Sequence, residues 1–292
     1  MNNITIFTDS CSSLTSDLIE KYDIRIIPIC YTLDGVEHNP LDNEMPIEDF
    51  YNMLEGEAVP KTACINPSLY IEHFEKELEK GNQVLHISMS SGLSGTYNNA
   101  VSARNELNEK YPNQIEIIDS LKGGMGMAFD IEKSAELREK GLNVQQIKEE
   151  VDKNKQNVEC LFTIGSIDYL KRSGRIKPTP ALLAKVMKIN PLIDADDTVG
   201  KLNIKALCIG RKKAIQTMID KVKTSINETI KKIYLCYTNN KPEAENMLSK
   251  LKAEIPSSDI TLSPIDCSLG CHCGPRTLAV FFKRKATASN NN

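Results

Sequence analysis

Residues 83–111, QVLHISMSSGLSGTYNNAVSARNELNEKY, carry the reading that decides the fold. QVLHISMS is an apolar, strand-forming run; SSGLSGT is a Ser/Gly-rich loop; TYNNAVSARNELNEKY has helical patterning. A strand that passes through a short polar loop into a helix is the repeating unit of a parallel sheet. The same phrase occurs twice more. ITIFTD (4–9) stops at Asp9-Ser10 and leads into SSLTSDLIEKY, where Leu14, Leu18 and Ile19 recur at helical spacing. QIEIIDS ends at Asp119-Ser120 before a Gly-rich turn and a helix around FDIEKSAELREKG. Between these, IRIIPICYTL reads as one more strand, Asp34 to Asn43 as a Gly/Asn/Pro-rich excursion, and PIEDFYNMLEGE as a helix. The first 150 or so residues are therefore expected to form a parallel sheet with helices on both faces. Ligands of such sheets collect at the carboxyl ends of the strands, which here carry Asp9-Ser10, Ser90 to Thr96 and Asp119-Ser120.

After the polar-faced helix VQQIKEEVDKNKQ, VECLFTI opens a second region that runs through SIDYLKRS, TPALLAKVMK, KLNIKALCIG, RKKAIQTMIDKVKTSI, KIYLCYT and PEAENMLSKLKAEI. The expected division is an N-terminal domain at 1–157 and a C-terminal domain at 158–285. Residues 286–292 are small and polar and are expected to be a disordered tail.

Composition narrows the function. With 292 residues and 40% hydrophobic content the chain can build two ordinary cores. The 36 Lys and Arg against 39 Asp and Glu give a net charge of −3, which provides no basic field for nucleic acid. No stretch approaches the roughly 18 apolar residues of a membrane span, and MNNITIFTDS lacks a leader pattern, so no stable membrane insertion and a cytoplasmic location are expected. Nine cysteines, an odd number scattered from Cys11 to Cys273, read as reduced thiols rather than a disulfide framework.

Three groups of residues could carry chemistry. The loop from Ser90 to Thr96 lies between strand and helix, where free N–H groups and hydroxyls suit an anion; the same residues also suit an ordinary helix cap. A carboxylate held by the Ser94 hydroxyl and nearby N–H groups gains charge-assisted hydrogen bonds, roughly twice as strong as neutral ones. His272, in the small-residue turn LGCHCGP, can donate to a ligand oxygen when neutral or balance its charge when protonated. Cys267, Cys271, His272 and Cys273 are soft metal ligands, but their spacing lacks the paired returns of a structural zinc site, and no metal is expected. Ser94, His272 and Asp9 or Asp119 could form a hydrolase triad, although Gly92-Leu93-Ser94-Gly95 departs from the G-x-S-x-G elbow. GGMGM at 123–127 lacks the spacing of a dinucleotide loop. Arg211-Lys212-Lys213 places cations at a helix start, against the macrodipole, a cost that an acidic partner would offset.

Eight segments in order, FTDSCSSL, KTACINPS, ISMSSGLSGTYNNA, IIDS followed by glycines, YLKRSGRI, INPLID, GRKKAI and GCHCGP, make the chain resemble the DegV family. That family includes the fatty-acid-binding subunits of bacterial fatty acid kinase. The resemblance implies a two-domain α/β protein, its C-terminal α+β domain carrying a mixed or antiparallel sheet, with a long-chain fatty acid in a tunnel between the domains. It further implies that Thr62, Ser94 and His272 hold the carboxylate, with Gly95 as a backbone donor. The chain would be a non-catalytic carrier without cofactor, presenting the acid to a separate ATP-dependent kinase subunit for phospholipid synthesis, and Arg172, Arg175 and Arg211 would face that kinase. Three departures stand out. Arg276 follows Pro275 and is expected to bring a bulky cation near the head group. Ile209 occupies a position often held by Arg. Cys64 and Ile65 follow Thr62 in place of more polar residues. A serine hydrolase using Ser94 and His272 is the alternative.

Overall fold

The computed structural model describes residues 3–42, 45–56, 58–153, 155–177 and 189–285. The segment TPALLAKVMK and the expected tail at 286–292 lie outside them.

Strands β1 (Ile4–Asp9), β2 (Ile24–Ile27), β6 (Gln83–Ser88) and β7 (Ile115–Asp119) form an all-parallel sheet in the order β2-β1-β6-β7. β1 and β6 are buried along nearly their whole length, as covered parallel strands require. Helices α3 (Pro67–Leu78) and α4 (Thr96–Leu107) pack as one pair, and α5 (Ala128–Glu139) and α6 (Val144–Asp152) as another. Short α1 (Ser16–Tyr22) links β1 to β2.

IRIIPICYTL is not one strand. Pro28 has no N–H to give to a ladder, and the chain leaves the parallel sheet at Ile27. Tyr31–Leu33 (β3) instead pairs antiparallel with Val36–His38 (β4) and Lys61–Thr62 (β5) in a separate three-stranded sheet. Part of the expected irregular excursion is thus a strand, and α2 (Ile47–Glu55) packs Phe50, Tyr51 and Leu54 beside it.

A six-stranded mixed sheet begins at Val158. It comprises β8 (Val158–Thr163), β9 (Ile189–Ala195), β10 (Leu202–Ile209), β11 (Lys232–Tyr237), β12 (Asp259–Pro264) and β13 (Leu278–Lys283), in the order β10-β9-β8-β13-β11-β12. Alternation sends its side chains to two cores. Leu161, Leu235 and Val280 pack with Met218 of α8 (Arg211–Ser225) and Leu251 of α9 (Lys241–Glu254). Cys160, Phe162, Cys236 and Phe281 face the other way, toward Met125 and Phe129 after the parallel sheet. Helix α7 (Asp168–Ser173) follows β8.

GCHCGP is likewise not a turn. Cys267–Cys273 form α10, capped by the Asp266 side chain accepting from Ser268 N–H at 2.8 Å and ended by Gly274 at φ 71°. This helix joins β12 to β13 and touches α7, α2 and β5.

Candidate functional site

The strand-end carboxylates are consumed by the fold. Asp9 is fully buried and accepts from Tyr70 Oη at 3.0 Å, Ser88 Oγ at 3.2 Å and Met89 N–H at 2.8 Å. Asp119 Oδ1 accepts from Ser91 N–H and Leu121 N–H, each at 3.1 Å. Both therefore brace the loops that follow the strands. Ser90, also fully buried, donates to Gly200 O at 2.9 Å and locks the β6–α4 loop to the β9–β10 hairpin.

That bracing sets Ser94 at the wall of a narrow apolar pocket between the parallel and mixed sheets, enclosing about 110 Å³. The pocket gathers Met89 and Leu93 from the parallel side, Phe162, Leu202 and Phe281 from the mixed sheet, and Leu269 from α10. Thr62, Ser94 and His272 all line it. They arrive from β5, the β6–α4 loop and α10. Thr62 Oγ1 lies 2.8 Å from His272 Nε2, and the Cys64 thiol lies 3.6 Å from Ser94 Oγ. Ser94 Oγ donates to Thr96 Oγ1 at 2.9 Å and accepts from Thr96 N–H at 3.2 Å, a local bond that shapes the loop, while the N-cap residue of α4 makes no side-chain cap. Gly95 sits at the N-cap of α4, and a Cβ there would stand 3.4 Å from the Cys64 sulfur.

Burial, and secondarily the Arg175 guanidinium, lower the His272 imidazole to about 4. The ring is neutral near pH 7 and takes part through hydrogen bonds, not through the positive charge a protonated ring would offer. Its Nδ1 is buried without a partner. A hydrolase would need that nitrogen oriented by a carboxylate, yet Asp9 and Asp119 are engaged elsewhere. Among the described residues no group of three or more His, Cys, Asp and Glu is placed to hold a metal. Cys11, Cys64, Cys160, Cys236 and Cys273 all line the pocket, and burial raises the Cys160, Cys236 and Cys273 thiols to about 12. Those three are small, protonated, apolar wall groups.

The three arginines separate. Arg172 is exposed and lies over the Tyr169 ring at 4.7 Å. Arg175 lines the pocket itself, giving Nε to Leu93 O at 3.1 Å and Nη1 to Ser173 O. Arg211 is tied to Glu243, with Nη2 2.6 Å from Oε2, and also donates to the Ile164 and Arg276 carbonyls. Glu243 thereby offsets the cost of a cation at the start of α8. Arg276 is exposed and absent from the pocket wall, because its backbone, at φ 58°, turns at the end of the α10 segment and donates to Asn239 Oδ1. The expected intrusion of this cation on the pocket does not occur. Ile209, 82% exposed, lies on edge strand β10. The sequence reading missed Arg175 as a wall residue; YLKRSGRI signals a cationic turn but not that one of its arginines faces inward.

Residues 3–285 match the family described as "Uncharacterised protein, DegV family". A DegV domain-containing protein of Clostridium perfringens is 32% identical over 285 residues, covering 97% of this chain and 98% of its own. Another, from Caldanaerobacter subterraneus, is 30% identical over 98% of this chain and all of its own. Among solved structures, a DegV lipid-binding protein from Thermotoga maritima aligns with TM-score 0.81 at 25% identity, over 97% of this chain and 100% of the other. A stearic-acid-binding protein from Eubacterium ventriosum shares the fold at TM-score 0.85 and 24% identity, over 98% and 99% of the two chains. With the match running from residue 3 to residue 285 and relatives of 30% identity or more along nearly the whole length, this chain belongs to the DegV family.

Proposed function

We propose that this chain binds a long-chain fatty acid in the pocket between its two large sheets, with the carboxylate on Thr62, Ser94, the Gly95 N–H and His272. The observation that carries this reading is the composition of the wall: apolar along most of its surface, with Thr62, Ser94, Arg175 and His272 as close neighbours. Each buried CH2 contributes about 0.8 kcal/mol, so the tail supplies the affinity and the polar cluster sets the direction. The DegV lipid-binding relative supports the same ligand class. The chain acts as a non-catalytic carrier that presents the carboxylate to a separate ATP-dependent kinase, which converts it to an acyl phosphate. Exposed Arg172, in the last turn of α7 and three residues before the pocket-wall Arg175, suits the docking of that partner better than Arg211, whose guanidinium is committed to Glu243.

Native mass spectrometry of protein purified from a bacterial host, followed by organic extraction, tests the ligand. A stoichiometric long-chain acid is the expected result; an empty chain or a different ligand class sinks the proposal. Addition of a fatty acid kinase and ATP tests the second step through the appearance of acyl phosphate. Fluorophosphonate labelling abolished by Ser94→Ala would instead favour the hydrolase.

A further inference from the structure

Thr96, the first residue of α4, is fully buried and is not part of the pocket wall. Its side chain reaches the proposed head-group site through one neighbour, Ser94. Ser94 Oγ donates to Thr96 Oγ1 at 2.9 Å and accepts from Thr96 N–H at 3.2 Å. We propose that Thr96 is a positioning residue that makes the pocket prefer a carboxylate to a neutral head group, by becoming the donor to Ser94 when Ser94 gives its own proton to the ligand. The inference rests on the fatty-acid reading above and adds to it a device for choosing the head group.

Proton counting carries the argument. A hydroxyl has one proton to give and two lone pairs, whereas an ionised carboxylate only accepts. Ser94 spends its proton on Thr96, and among the described residues Thr96 Oγ1 gives its own to no group. A carboxylate can be held by Ser94 only if that proton is withdrawn from Thr96. Thr96 Oγ1, shut away from water, would then lose its partner, and a buried unpaired hydroxyl is costly. Rotation of the two hydroxyls removes the cost, because Thr96 then donates to Ser94 across the same contact. Ser94, accepting from both the N–H and the hydroxyl of Thr96, becomes the stronger donor to the carboxylate.

An alcohol head group needs no such reversal. It can donate to Ser94 while Ser94 still donates to Thr96. Nor does a neighbour replace Thr96 in this role: the Thr96 N–H is a fixed donor, and the Cys64 thiol, 3.6 Å from Ser94 Oγ, is a weak one.

Competition of hexadecanoic acid and hexadecanol against a pocket-bound fluorescent fatty acid, on the full chain, tests the assignment. Thr96→Val keeps the branched shape and removes the hydroxyl; the acid should bind about two- to tenfold more weakly, the loss of one neutral hydrogen bond, and the alcohol should not weaken. Thr96→Ala, a second variant without the hydroxyl, should lower the acid-to-alcohol ratio likewise, and Thr96→Ser should restore it. In a Ser94→Ala background Thr96→Val should leave the ratio unchanged, since no Ser94 hydroxyl remains to be served. Equal losses for acid and alcohol in Thr96→Val and Thr96→Ala would make Thr96 a structural residue only and overturn the proposal, as would an unchanged ratio in both. A wild-type chain that binds neither ligand overturns the fatty-acid reading itself, and this inference with it.

Discussion

His272 illustrates how one residue combines two physical demands. It must be buried to meet Thr62, and burial removes its charge. Its contribution to carboxylate binding is then a hydrogen bond from a neutral ring, comparable with that of Ser94. We expect Ser94→Ala and His272→Ala each to weaken fatty-acid binding by about 1–3 kcal/mol, the range for a hydrogen bond to a charged group. Titration calorimetry checks this, and unchanged affinity in both variants would refute the head-group assignment. The depressed His272 value also has a stability consequence. Unfolded histidine titrates near 6.5, while the folded ring titrates at about 4. Above pH 6.5 neither state is protonated and the shift contributes no pH dependence; as pH falls from 6.5 toward 4, the unfolded chain binds a proton that the folded chain refuses. Folding weakens by up to about 3 kcal/mol from this one group. The drop in urea stability between pH 7 and pH 4.5 should be smaller in His272→Gln than in wild type; equal drops would show that the ring is not buried as described. Ser94 and His272 were legible as candidate donors because a hydroxyl or an imidazole stands beside glycines in a short motif; Thr62 was reached only through the family resemblance. Arg175 was legible only as a cation, since its inward direction depends on Leu93 and Ser173 carbonyls supplied by the folded loops.

At the scale of elements, α10 decides where His272 points. The segment looked like a turn because it is rich in glycine and ends in Gly-Pro. What makes it helical is a side chain outside the motif, Asp266, capping the first turn, together with packing of Gly270 against Tyr51, where a Cβ would fall 2.3 Å from the Tyr51 hydroxyl oxygen. Gly274 ends the helix at φ 71°, and a Cβ there would lie 2.4 Å from the Tyr169 ring. Gly274→Ala therefore meets both a backbone penalty and a clash, and should destabilise by more than about 1 kcal/mol. Denaturant titration provides the check, with wild-type stability arguing against the helix end as drawn. The strand-loop-helix phrases were readable because their apolar period and loop chemistry are local. The split of IRIIPICYTL turned on Pro28, a local signal that a run of Ile and Tyr outweighed in the sequence reading.

At the scale of the whole molecule, the pocket wall was not legible, because it is assembled from alternate residues of distant strands. Cys160, Phe162 and Phe281 differ from Leu161, Leu235 and Val280 only in which face of the mixed sheet they occupy. No local pattern says which face meets the parallel sheet. One contact across the two sheets makes their docking testable. Lys122, following β7, is 1% exposed and donates to Asp197 Oδ1 at 3.1 Å, while Asp197 Oδ2 also lies 2.6 Å from Arg284 Nη2. The two partners should therefore respond unequally to removal. Lys122→Met leaves Asp197, 28% exposed, with Arg284, and a methionine fits a buried stem; the cost should be about 1 kcal/mol or less. Asp197→Ala leaves a buried ammonium without its ion-pair partner and should approach the roughly 3–5 kcal/mol seen when a buried pair is broken from one side. In a Lys122→Met background the same Asp197→Ala change should lose most of that cost. Urea unfolding of the two single variants and the double variant measures the asymmetry. If Asp197→Ala proves no more damaging than Lys122→Met, Lys122 is hydrated in solution and this ion pair adds little to the other contacts between the two sheets, such as the apolar packing around Phe129 and Phe281 and the Ser90 bond to Gly200 O.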